Sequence, residues 1–292
     1  MALAVPRSRV SDFIALTKPR LNLLVVVTTA VCFYLAAPAA ADLWLLAPTL
    51  VGTALVAGGA AALNQVYEKE ADGLMQRTRL RPMPDGRLQV PEAHRFGVAL
   101  SLVGLATLAY ARPLAAGLAL ATLVGYTLIY TPLKRRTSLA MVVGAVPGAL
   151  PAALGWAAAR GALTIEAWVL FGIVFFWQIP HFLAIAWMYR EDFERAGFRF
   201  LPVVDPTGRR TARQVMLYLA ALLPMSVAPA WVGMAGTPYL VGAALLGLGF
   251  TVLAVGFALD RSMRHARWLF AGSIIYLPLL WGLLVATRLL DA

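Results

Sequence analysis

Nine apolar runs, each near the length of a bilayer crossing, leave this chain few folds other than a bundle of membrane helices. Residues 21–41, 43–63, 139–159 and 164–188 are the clearest, and 96–111, 114–132, 214–233, 238–259 and 268–287 complete the set. About 20 apolar residues in a helix cross the hydrocarbon core, and a helix pairs its own backbone where water is absent. At 61% hydrophobic and 13% charged residues, the chain has too little charge to cover a water-exposed surface of this size. The expected fold class is therefore all-α, a single integral-membrane domain over 1–292. The lone Cys32 lies inside the first run, so neither an intramolecular disulfide nor a cysteine metal site is available. The basic N-terminal stretch leads into a full-length span, unlike the short apolar region of a cleaved signal peptide.

A formal charge of +11 would suit nucleic acid, but the distribution of the charges argues against it. With the N-terminus in the cytoplasm, all 25 lysines and arginines except Arg112, Arg160 and Arg288 fall on the cytoplasmic side. A miscounted helix would scramble that partition, so it supports both the count and the orientation. The expectation is a multi-pass protein of the inner (plasma) membrane, with its C-terminus outside and no nucleic-acid partner. The outer connections are short and nearly bare. Two cytoplasmic loops, 64–95 and 189–213, are long and carry most of the acids: Glu68, Glu70, Asp72, Asp85 and Glu92, then Glu191, Asp192, Glu194 and Asp205.

The first loop opens with Asn64, Glu68 and Asp72. If the second helix continues past its apolar run, these residues sit at i, i+4 and i+8. Each four-residue step turns the helix by only about 40°, so the three line one face. Amide and carboxylate oxygens are hard ligands suited to Mg²⁺, which takes a few carboxylates, waters and substrate phosphates. A solvated helix end with i,i+4 charge pairing is the bland alternative, but an amide and two acids at the membrane boundary are costly unless used. Arg77, Arg79 and Arg81 follow at alternate positions. Pro82, Pro84 and Gly86 then suggest a stiff extended loop. Guanidinium forks bind phosphate oxygens bidentately, so acids holding a metal beside arginines suit an Mg²⁺–diphosphate.

Lys134, Arg135 and Arg136 follow Tyr126, Tyr130, Thr131 and Pro132 at the end of the fourth span. They suit a phosphate or an anionic lipid headgroup. His181 is the only histidine well inside a span, next to Pro180, among Phe175, Phe176, Trp177 and Phe182. An ionisable residue there is a functional candidate, set against a core histidine bonded to a carbonyl freed beside the proline. Aromatic faces can also steady an allylic carbocation. Together these features describe a prenyl diphosphate site with an apolar tunnel behind it. A transporter is the competing class, but apart from His181 the spans are almost uncharged.

Asn64-x-x-x-Glu68-x-x-x-Asp72 followed by Arg77-Thr-x-x-Arg81-Pro resembles the first signature of the UbiA-type intramembrane prenyltransferases. Within that superfamily the chain is most similar to the branch that makes haem O, the protoheme IX farnesyltransferases. The resemblance rests on Leu16–Arg20, Asn64–Pro84, Tyr130–Thr137, Trp177–Phe182, Ala196–Gly197 and Leu201–Val204. It implies nine helices around a central cavity, and farnesyl transfer from farnesyl diphosphate to a vinyl group of haem B, with addition of water and release of diphosphate. It implies that Asn64, Glu68 and Asp72 hold Mg²⁺ and diphosphate, helped by Arg77 and Arg81. Tyr130, Lys134, Arg135, Arg136 and Arg190 would contact substrate, and His181 would contact the haem. The family pattern has Asp where this chain has Glu68. A second Asp-x-x-x-Asp motif is replaced by Tyr189-Arg-Glu-Asp-Phe193, which leaves Glu191 and Asp192 as the available acids for a second Mg²⁺. Membrane lipids and a haem-pathway or terminal-oxidase assembly are the implied partners. A relative acting on a 4-hydroxybenzoate-like or lipid acceptor is the alternative within the superfamily.

Overall fold

A computed structural model describes residues 8–37 and 44–290. Among the described residues nine helices are long and apolar enough to cross a membrane. They are α1 (Pro19–Ala36), α2 (Leu46–Tyr67), α3 (Val90–Ala111), α4 (Pro113–Leu133), α5 (Ala140–Arg160), α6 (Ile165–Met188), α7 (Arg209–Trp231), α8 (Thr237–Asp260) and α9 (Met263–Leu290). Every apolar run has its helix, and the differences lie at the polar ends. The helices α3, α7 and α9 begin some five residues before the apolar runs do, and α2 runs on to Tyr67. An apolar run measures only the part of a helix in hydrocarbon, whereas interfacial turns are held by their own polar residues. In α3 the Glu92 carboxylate accepts the Gln89 N–H at 3.0 Å and secures the first turn. The connection at Ala41–Asp42 and the cation Arg7 lie outside the described residues.

Successive helices pack side by side, and α1 contacts both α5 and α9, which closes the bundle. The most buried spans are α5 and α6. Small residues make the α5 interior possible: a side chain at Gly155 would collide with the Thr29 carbonyl of α1. Close approach of backbones is how membrane helices gain packing energy when lipid removes the hydrophobic drive between them. Polar side chains then stitch the interface. Thr29 Oγ1 donates to the Pro151 carbonyl at 3.2 Å, and Gln178 Nε2 donates from α6 to the Ala145 carbonyl at 2.7 Å. Arg288 closes the far end by donating to the Leu35 carbonyl in the last turn of α1 and to the Ala37 carbonyl just beyond it.

Two local irregularities position the site. The helix α2 breaks at Glu68 (φ −103°, ψ 10°) and resumes as the short helix Lys69–Leu74. The hydrogen bonds Glu68 N–H to Asn64 O (3.0 Å) and Asp72 N–H to Glu68 O (2.7 Å) bridge the break, so the i, i+4, i+8 register survives. In α4, residues Gly125–Tyr130 widen into a π-turn, with the Thr131 N–H reaching back to the Tyr126 carbonyl. Pro132 cannot supply the N–H that a regular helix needs at its position, and the Thr131 hydroxyl also bonds the Tyr126 carbonyl at 2.8 Å.

Candidate active site

The end of α2, the turn of α4 and the segment before α1 converge on Asn64. Its Nδ2 donates to Thr131 Oγ1 at 3.0 Å, while its Oδ1 accepts from Lys18 Nζ at 3.2 Å and Tyr126 Oη at 3.4 Å. Those two donors fix which end of the amide is oxygen. Lys18 sits at φ 47°, a left-handed conformation for a non-glycine residue, immediately before Pro19. A following proline pushes the preceding residue out of the right-handed helical region, and the tight turn aims the ammonium inward. Burial first, and then the charges of Arg81 and Lys134, push the Lys18 pKa down to about 7.

Glu68 and Asp72 follow on the same face and are nearly inaccessible. Lys134 Nζ lies 2.8 Å from Glu68 Oε1, and Arg81 Nη1 donates to Asp72 Oδ2 at 2.7 Å. The pairing is incomplete. Asp72 Oδ1 has no hydrogen-bond partner, and the Lys134 contact with Glu68 Oε1 lacks hydrogen-bond geometry. Buried carboxylate oxygens without donors are costly, and they are what a divalent cation would take as ligands. Among the described residues no three His, Cys, Asp or Glu side chains come together as a metal-binding group. An ion here would draw on Asn64, Glu68, Asp72 and the oxygens of its substrate.

Lys134 is buried against the rings of Tyr130 (4.5 Å), Phe198 (5.8 Å) and Tyr126 (5.9 Å). Tyr130 can lie there because α5 has Gly144 opposite; a β-carbon would stand 2.5 Å from the ring. The Lys134 carbonyl accepts the Arg199 N–H at 2.7 Å, tying the turn after α4 to the loop after α6. The basic triplet is thereby split, because Arg135 and Arg136 are exposed.

The arginine segment is not extended. Residues 76–86 form a series of turns, with Arg79 N–H bonded to Met75 O and Asp85 N–H to Arg81 O, both at 3.0 Å. The proline spacing misled the expectation of a straight loop: tight turns also use proline. Asp192 holds this segment in place. Its Oδ1 accepts the Gln76 N–H at 3.1 Å, its Oδ2 accepts the Arg77 N–H at 3.4 Å, and Arg195 closes on Oδ1. Burial alone would raise its pKa, but these donors hold it below the usual value. Arg77 lies over the rings of Tyr189 (5.4 Å) and Phe193 (5.9 Å). Arg190 stacks on Trp187 at 4.8 Å, and Glu191 is exposed.

His181 lies on α6, seven residues from its end and so about 10 Å deeper. Its ring stacks between Trp177 and Phe270, with both centroids at 5.1 Å, and its Nδ1 is 2.7 Å from Ser273 Oγ. The Ser273 hydroxyl donates to the Phe270 carbonyl at 2.6 Å. A hydroxyl has one proton, so the Nδ1–H donates to Ser273 and Nε2 keeps its lone pair.

The sequence matches the UbiA prenyltransferase family over residues 25–287. The chain belongs to the UbiA prenyltransferase family. It is 49% identical to a protoheme IX farnesyltransferase of Solibacter usitatus (strain Ellin6076), across 95% of this chain and 98% of that protein. A structure from work on digeranylgeranylglyceryl phosphate synthase in membranes superimposes with a TM-score of 0.81 at 14% identity, covering 95% of this chain and 98% of the other. A UbiA homolog from Archaeoglobus fulgidus bound to DMAPP and Mg²⁺ matches at TM-score 0.69 and 18% identity, covering 94% and 98%. This UbiA-family chain is thus a multi-pass membrane prenyltransferase. The roles of three members of its polar centre, Lys18, Tyr126 and Thr131, were not legible in the sequence. Lys18 stands 46 positions before Asn64, in a turn that only the pair Lys-Pro hints at. Tyr126 and Thr131 were visible as neighbours of the basic triplet, but their hydrogen bonds to Asn64 depend on the π-turn.

Proposed function

We propose that this prenyltransferase breaks the C–O bond of farnesyl diphosphate and joins the farnesyl carbon to a vinyl carbon of haem B. Water then adds to the neighbouring carbon, giving haem O and diphosphate. The observation that carries the diphosphate half is the centre at Asn64, Glu68 and Asp72, where Asp72 Oδ1 is buried without a donor and Glu68 Oε1 meets only Lys134, beside Lys18 and Arg81. Mg²⁺ bound there would neutralise charge developing on the leaving diphosphate. Asn64, Glu68 and Asp72 are the ligands this chain offers, with Arg77 and Arg81 for the remaining phosphate oxygens. Lys18 and Lys134 add cationic charge in a place of low dielectric, where it acts strongly. Tyr130 and Tyr126 turn ring faces toward the site, which suits an allylic cation once the C–O bond loosens.

At Glu191 and Asp192, the Gln76 and Arg77 N–H groups and Arg195 already take three of the roughly four acceptor sites of the Asp192 carboxylate, so a second ion there would share Asp192 with the segment it holds, and Asn64, Glu68 and Asp72 are the better ligand set. The haem half is supported by the names of the sequence relatives and by His181, whose Nε2 lone pair is available for a haem iron or a proton. The partition of basic residues supports a cytoplasmic active site in the plasma membrane, with the N-terminus inside and the C-terminus outside. Membranes containing the chain, incubated with farnesyl diphosphate, Mg²⁺ and haem B, should yield a haem heavier by one farnesyl and one water. Product with 4-hydroxybenzoate and none with haem would replace this acceptor by an aromatic one.

A further inference from the structure

A second basic site lies away from the diphosphate centre. A cavity of about 200 Å³ is enclosed by the starts of α5 and α7 and by α6. Its lining combines the apolar Met141, Val142, Ile179 and Leu183 with the polar Arg210, Arg213, Gln214, Ser138 and Tyr218. Ile179 and Leu183 stand four residues apart on one face of α6. His181 lies between them in sequence and so roughly 160° around the helix. The cavity is therefore on the opposite side of α6 from the His181 wall, and none of the candidate diphosphate residues lines it.

Neither the Arg210 nor the Arg213 guanidinium has an ion-pair or hydrogen-bond partner among the described residues. The neighbouring acid, Asp205, is turned to the backbone: it accepts the Arg210 N–H at 2.7 Å and the Thr207 hydroxyl at 2.6 Å. Two planar cations, an amide and two hydroxyls thus share one cavity with apolar side chains near the starts of α5 and α7. Guanidinium forks suit phosphate oxygens, and the apolar lining suits the first carbons of an acyl chain.

We infer that this cavity seats an anionic phospholipid, with its headgroup phosphate on Arg210 and Arg213 and the first carbons of an acyl chain on Met141 and Leu183. The occupant is a lipid and not a free anion because half of the lining is apolar and the site sits at the level where spans begin. The test is native mass spectrometry of the detergent-purified chain titrated with phosphatidylglycerol or with phosphatidylcholine of the same acyl length. The wild-type chain should retain phosphatidylglycerol over phosphatidylcholine. The double variant R210Q/R213Q should lose that retention by roughly thirtyfold, given about 1 kcal/mol for each of the two basic residues at an anionic surface. The control R264Q/R267Q, which removes the same charge from exposed positions of α9, should not. The variant R210K/R213K, which keeps the charge without the fork, should fall between. Equal retention of the two lipids, an equal loss in the control, or full displacement by inorganic phosphate would overturn the proposal.

Discussion

The two acidic stretches on the loop face look alike in sequence and do different work in the fold. At Glu68 and Asp72 the carboxylates are buried and paired with Lys134 and Arg81, yet Asp72 Oδ1 has no donor and Glu68 Oε1 meets Lys134 without hydrogen-bond geometry. At Glu191 and Asp192 one acid is exposed, and the other gives both of its oxygens to backbone N–H groups and Arg195. A carboxylate can hold a metal only with lone pairs that folding has not already used. By that measure we propose the first stretch as the ligand set, whereas Asp192 in the second clamps the arginine segment beside it.

The sharpest break of this comparison is Asp72→Asn. The amide keeps the shape and a hydrogen bond but removes the charge a divalent cation needs. We expect kcat/KM for prenyl transfer to fall by about a thousandfold, since a metal's charge stabilisation is worth several kcal/mol. The chain should remain inserted with an unchanged thermal unfolding profile. Assays over a Mg²⁺ titration, with an EDTA-treated wild-type control, read this directly; near-normal turnover would remove Asp72 from the metal site. Asp192→Ala should act more weakly and by another route. It orphans the Gln76 and Arg77 N–H groups and lets Arg77 drift, and a misplacement of an ångström costs up to about a hundredfold. We expect a loss of roughly tenfold or more, mostly in KM for the diphosphate. In an Arg77→Ala background the same change should add little, because the two act through one contact.

How much of this was readable beforehand depended on whether a feature lives along one helix. The register of Asn64, Glu68 and Asp72 follows from helix geometry, and it survives the break at Glu68 because the i→i+4 bonds are kept. The nine spans were legible for a similar reason, since twenty apolar residues have few other places to go. What could not be read was direction. Lys134, Arg135 and Arg136 are interchangeable as letters, and only the π-turn and the gap at Gly144 decide that Lys134 turns inward. Asp192 is an acid at about the position the family pattern requires, but its lone pairs are claimed by N–H groups 115 and 116 residues away. Lys18 joins the centre through a strained turn before α1, which no periodicity announces.

Lys18 tests the cationic side of the first cluster. Lys18→Met removes a group that burial leaves about half charged near pH 7 and that a diphosphate beside it would keep protonated, together with the hydrogen bond to Asn64 Oδ1. We expect KM for the prenyl diphosphate to rise by about tenfold, as befits one phosphate-directed charge, with kcat nearly unchanged. A drop in kcat with KM constant would instead assign Lys18 to the bond-breaking step.

The smallest expected effect is the most discriminating. Glu191 is exposed and makes no hydrogen bond or ion pair among the described residues. If the second stretch is only a clamp, Glu191→Gln should change kcat/KM by no more than about twofold, in line with surface substitutions that touch nothing. The Mg²⁺ concentration dependence should also be unaltered. If the stretch instead holds a second ion when substrate binds, Glu191 is the carboxylate next to Asp192 with no bond to spend first among the described residues. The same substitution would then shift the Mg²⁺ dependence to higher concentration and lower turnover toward that of Asp72→Asn. A single metal titration of this variant therefore decides whether the two acidic stretches are different devices or two halves of one.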